Sequence, residues 1–185
     1  MDIHLSADQL LRGRLASSLG LDKYSDLILS YQKTDVSTDL EFQRKFNAFY
    51  MIRRNEEWRR KYYTLFEANK NSSPSFPYIL MQLYELTGNV EASYASKMVA
   101  TINPCLPIWD QYVLQNLGFR LTGYKTEDKL LHAINIYNEI LQWYKDYLQT
   151  PEAKENIAIF NRWLPDYSWL SDEKKIDFML WSRRA

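Results

Sequence analysis

Apolar residues along this chain recur at intervals of three and four, and no segment alternates convincingly enough for a strand. Ile79, Leu80, Leu83 and Leu86 make one such stripe; Leu130, Ile134, Tyr137 and Leu141 make another. Five Gly and six Pro break the pattern into segments. The periodicity predicts an all-α chain of about ten helices, without internal repeats.

Start and stop signals place those helices. Ser6, with Gln9 three positions on, opens a first helix that Gly20 ends. A second runs from about Asp22 to Lys33. Thr38 and Glu41 form a capping box that opens a third, to about Arg53. Asn55 opens a fourth, with Glu56 and Glu57 placed to favour its N-terminal dipole. Asn69 to Ser75 is a surface loop, and Pro77 sits in the first turn of a fifth helix that stops at Gly88. The sixth covers Val90 to Thr101 and the seventh Trp109 to Leu117, with the Asn103–Pro107 break between them. Thr126 caps a long helix to about Gln149, Thr150–Pro151 starts the next, and Ser171 caps the last. That last helix ends at Trp181 and the pair Arg183–Arg184; its start, Asp172 to Lys175, reads as a solvated face, and Asp177 reads as drawn inward toward a basic partner. The expected architecture is one helical domain over residues 1–185, with an inner lobe at 38–120, the termini packing as a second lobe, and a cleft.

Composition narrows the class. Aromatic residues make up 15%, so flat side chains dominate the interior. The formal net charge is zero, which excludes a strongly basic, tail-driven polyanion binder but not a local basic surface. Residues 41–70 carry eight basic and four acidic side chains, against four and six in the first forty. Cys105 is the only cysteine, which excludes an internal disulfide and argues against a cysteine zinc site. No secretory leader and no apolar run of about 18 residues is visible, so a cytoplasmic protein without a membrane partner is expected. No cofactor motif is present.

The segment from Leu86 to Asp110 carries the chemistry. Gly88 ends one helix, Asn89 and Val90 turn the chain, a small-residue helix follows, and Asp110 opens the next. A helix start presents free N–H groups that suit a phosphate, and a carboxylate in a first turn is held as the anion. This arrangement resembles the helix-hairpin-helix DNA glycosylases. Leu86-Thr-Gly88 is similar to the first part of their DNA-gripping hairpin, and Ile108-Trp-Asp110 to the segment around their catalytic Asp, 22 residues beyond Gly88. The resemblance implies DNA binding and hydrolysis of an N-glycosidic bond, with Asp110 stabilising the cationic sugar. The lysine of the bifunctional members falls at Ala92, and Val90 stands in place of a hairpin glycine. Lys97 lies five residues further, about 140° round the helix, and is expected to face elsewhere. The implied activity is therefore monofunctional. A second resemblance is to an uncharacterised bacterial all-helical family, through Phe46 to Trp58, Val90 to Gly118 and Lys174 to Trp181, and it implies no assigned activity.

Each candidate also has a structural reading. Asp110 reads as catalytic or as a helix-capping carboxylate. Gly88 and Asn89 read as part of a phosphate grip, and Lys97 as a phosphate contact or as the ion-pair partner of Asp177. Arg53, Arg54, Arg59 and Arg60 read as a nucleic-acid track or as a solvated face offset by Glu56, Glu57 and Glu67. Trp58, Tyr62 and Tyr63 read as core, or as base-stacking rings. His132 reads as a packing residue, and Cys105 lacks a nearby His that would make it a nucleophile. Two functions remain: a DNA-binding, glycosylase-like protein, or a non-catalytic accessory factor of bacterial or phage origin that binds another protein.

Overall fold

A computed structural model describes residues 5–11, 20–123 and 125–182, and these contain ten α-helices and no strand. They are α1 (Ala7–Leu11), α2 (Leu21–Lys33), α3 (Leu40–Phe49), α4 (Glu56–Asn69) and α5 (Phe76–Thr87), then α6 (Ala92–Ile102), α7 (Gln111–Asn116), α8 (Thr126–Leu148), α9 (Pro151–Trp163) and α10 (Asp172–Ser182). A short 3₁₀ turn, Pro165–Tyr167, follows α9. Residues 12–19 of the predicted first helix and the pair Arg183–Arg184 lie outside the described residues.

Local chemistry explains most boundaries. The Asn55 side chain accepts from the Trp58 N–H, Thr150 from Ala153, Ser171 from Lys174 and Ser6 from Gln9. The start of α3 differs from the predicted Thr38 capping box. Asp39 is the cap and accepts from both Glu41 and Phe42, while Thr38 is held in a turn by its N–H to the Asp35 carbonyl. A carboxylate is the stronger acceptor, so it takes the helix start. Thr126 likewise lies inside α8, whose N-cap Lys125 gives no side-chain bond. α3 stops at Phe49 rather than near Arg53, because Met51 turns into the left-handed region at φ 54°.

One apolar core runs through all ten helices. Its centre is aromatic: Tyr31, Phe42, Phe46, Tyr62, Tyr63 and Phe66 meet at ring centroid distances of 5.3–6.4 Å, mostly tilted or edge-on. Trp58, Tyr62 and Tyr63 are therefore core. On α8 the buried residues are Leu130, Ala133, Ile136, Tyr137, Ile140, Tyr144 and Tyr147; Ile134 and Leu141 are partly buried against them. The N-terminal segment packs on α9, where Asn156 accepts from the Ala7 N–H and donates to the Leu5 carbonyl.

α10 departs most from expectation. Every residue from Lys174 to Leu180 is buried, so this helix is central rather than solvated on one face. Asp177 is fully buried and its partner is Lys174, with Nζ 2.6 Å from Oδ2. Tyr144 donates to the other carboxylate oxygen at 2.5 Å. The predicted pairing of Asp177 with Lys97 is thus replaced by a pair one turn apart on the same helix.

Candidate active site

Asp110 sits where the loop from Asn103 joins α7, and that loop is clamped along its length. Ser171 donates to the Pro104 carbonyl at 2.8 Å, and Tyr137 to the Pro107 carbonyl at 2.9 Å. The Trp109 N–H donates to Ser96 Oγ of α6 at 2.9 Å. Phe76 stacks on Tyr137 at 3.8 Å and lies parallel to Trp109 at 6.3 Å. Asp110 itself caps α7, with Oδ1 accepting from the Tyr112 N–H at 2.7 Å. Capping and an outward carboxylate are compatible, because two oxygens offer about four acceptor positions.

A half-open cavity of about 630 Å³ lies beside this carboxylate, lined by Phe49, Tyr50, Met51, Arg53, Ser93, Lys97, Asp110, Gln111, Tyr112 and Trp181. Lys97 and Asp110 therefore share one cavity. The expectation that Lys97 faces away took Ala92 as the reference position. Ala92 is buried, and the face of α6 that lines the cavity is Ser93 and Lys97, one turn apart.

Lys97 is only 8% exposed. Its Nζ donates to the Tyr50 carbonyl at 3.2 Å and lies 5.1 Å and 5.9 Å from the ring centroids of Tyr94 and Tyr50. Burial pushes its ammonium below the ordinary lysine range, and the negative charge of Asp110 partly restores it. The neutral amine is thus easier to form than on a surface lysine. Cys105 shows the reverse: burial and the carboxylates of Glu173 and Asp172 push its thiol up, away from a reactive thiolate. His132 bonds to Thr122 at an exposed position on α8.

The hairpin between α5 and α6 follows the predicted turn. Gly88 has φ 70° and closes α5 through its N–H to the Tyr84 carbonyl. Asn89 is exposed and donates to the Thr87 carbonyl. Just beyond it, buried Glu91 accepts two hydrogen bonds from Arg54, each 2.8 Å, and one from Trp58 Nε1 at 3.2 Å. These bonds fasten the start of α6 to α4. The Arg54 guanidinium is committed to Glu91 and lies over the rings of Trp58 and Tyr94. Glu91→Ala removes the acceptor and is expected to cost about 1.5–3 kcal/mol, read by urea denaturation.

Two further depressions carry basic side chains, each with one glutamate in its lining, Glu57 in the first and Glu56 in the second. One, of about 370 Å³, brings Arg53, Arg54 and Lys61 against Thr87 and Asn89 of the hairpin. The other, of about 400 Å³, gathers Arg59 and Arg60 with Arg44 of α3, one of the eight basic residues of 41–70. Arg53 lines both the first depression and the Lys97–Asp110 cavity. Of the acids expected to offset these charges, Glu57 pairs with Lys61 and Glu67 with Lys70. Among the described residues no carboxylate pairs with Arg44, Arg53, Arg59 or Arg60.

No protein-family model, curated protein or solved structure matches the chain. No described helix is long and apolar enough to cross a membrane.

Proposed function

We propose that the chain binds nucleic acid and cleaves an N-glycosidic bond in the cavity shared by Lys97 and Asp110. The observation that carries this reading is a buried, easily deprotonated amine and a carboxylate lining one opening beside an exposed arginine. A buried lysine whose pKa is lowered, placed in a cleft beside a carboxylate, marks a reactive site. A cavity of about 630 Å³ falls in the range of ligand sites and suits a nucleotide turned out of its stack.

In this reading the base leaves with the bonding electron pair, and Asp110 stabilises the positive charge that develops on the sugar. The lone pair of neutral Lys97 then adds to C1′, and the departing base takes a proton from the new ammonium. Opening of the sugar ring leaves an imine between Lys97 and C1′, the species from which a strand breaks. The implied activity is bifunctional, unlike the monofunctional one expected from Ala92. Arg53, Arg59, Arg60 and Arg44 contact backbone phosphates, with Asn89 and the Gly88 turn beside them, and Arg54 holds the hairpin through Glu91.

The test is to incubate the protein with duplexes carrying damaged bases and score abasic sites and strand breaks. Wild type is expected to give both, and Asp110→Asn neither; a protein that binds no nucleic acid at any salt concentration removes the proposal. In the same assay the double variant Arg59→Ala/Arg60→Ala is expected to lower the slope of log affinity against log salt by about two, roughly one per phosphate contact.

A second reading, a helical protein that engages another protein, is favoured by Trp163 and Trp169, which stand 44% and 55% exposed. It predicts a partner lost on changing these tryptophans and retained in Asp110→Asn.

A further inference from the structure

We infer that Met51 is the side chain that enters the base stack when a nucleotide is turned into the Lys97–Asp110 cavity; this rests on the nucleic-acid reading above. Met51 is the single non-glycine residue with positive φ among the described residues, at 54°. It occupies the position after the last residues of α3 where a helix end turns left-handed. The Ile52 N–H reaches back to the Asn47 carbonyl at 2.9 Å, and the Tyr50 N–H to Phe46 at 3.0 Å. That pattern is a closing motif which glycine satisfies without strain and methionine does not.

The side chain placed at this strained point is apolar and 64% exposed, so burial within the fold does not account for it. It stands on the lining of the cavity, two residues from exposed Arg53. The carbonyl immediately before it, that of Tyr50, accepts the hydrogen bond from Lys97 Nζ. The backbone that presents Met51 and the amine of the site are thus parts of one bonded unit. Proteins that unstack a duplex insert apolar side chains of this kind between base steps, next to basic groups that hold the backbone. An unbranched thioether adapts to the irregular gap a rotated nucleotide leaves.

The experiment uses a duplex with 2-aminopurine beside a tetrahydrofuran abasic analogue, which has no aldehyde carbon for Lys97 to attack; the fluorescence rises when the 2-aminopurine loses its stacking neighbours, and the protein is at saturating concentration. Wild type is expected to raise the signal several-fold. Met51→Gly is expected to lose most of that rise while its Tm stays equal or increases by a few degrees, since glycine relieves the left-handed turn. Met51→Leu is expected to keep the rise. A full rise in Met51→Gly, or binding by wild type without any rise, overturns the inference and leaves nucleic-acid binding standing. No binding by wild type removes the nucleic-acid reading as well.

Discussion

Lys97→Gln is expected to bring strand cleavage at an abasic site to the uncatalysed background, a loss of at least about 10²–10⁴-fold, with the helical fold intact. The amine is the nucleophile, and glutamine keeps a donor for the Tyr50 carbonyl but has no lone pair to add to an aldehyde carbon. The pH dependence has a definite sign. Only neutral Lys97 reacts, so cleavage rises with pH on a limb that lies below 10.5, because burial lowers the amine's pKa. Asp110 works against that shift, so Asp110→Asn is expected to move the limb to still lower pH even as it removes base release. Stability rises with pH in the same direction as activity. A buried amine that resists its proton costs stability wherever the unfolded chain is protonated, and that cost fades as pH approaches 10.5. Lys97→Met is therefore expected to be as stable as wild type or more so at pH 7, with the gain disappearing in alkaline buffer. Urea denaturation at several pH values reads this directly.

Asp177→Ala is expected to destabilise the protein by about 3–5 kcal/mol, the other large effect. It would leave the Lys174 ammonium fully buried with no counter-charge, since that side chain and Asp177 both have 0% exposure. It would also remove the acceptor of the Tyr144 hydroxyl. Lys174→Met/Asp177→Leu removes both charges and should recover most of the stability, because an apolar pair of similar volume avoids the desolvation penalty. Equal stability of Asp177→Ala and wild type in urea denaturation would contradict the account of α10.

Whatever depends on neighbours along the chain was legible. Asn55, Thr150 and Ser171 cap helices because an acceptor side chain just before an apolar stripe finds the free N–H groups of the first turn. Gly88 ends α5 because the turn needs positive φ. Thr38 was misread since Thr38-x-x-Glu41 and Asp39 compete for the same helix start, and spacing alone does not rank an alcohol against a carboxylate. The candidate site was half legible. Asp110 stood out by its helix-start position. Lys97 was measured from Ala92, when its own one-turn partner Ser93 was the residue that marked the face. The partner of Asp177 also had a local signal, the three-residue spacing to Lys174, that long-range pairing with Lys97 obscured. Arg44 counted among the eight basic residues of 41–70, but its grouping with Arg59 and Arg60 needs α3 folded against α4. The strain at Met51 was equally hidden: a methionine inside an apolar run gives no hint of a left-handed turn.

The central proposition is that the amine of Lys97 reaches the sugar carbon of a nucleotide held against Asp110. Borohydride reduction of a mixture of protein and abasic-site duplex, followed by peptide mapping, addresses it in one measurement. The account predicts a stable protein–DNA adduct whose modified residue is Lys97, absent from Lys97→Gln. An adduct on any other amine, or none while the duplex is demonstrably bound, would contradict it.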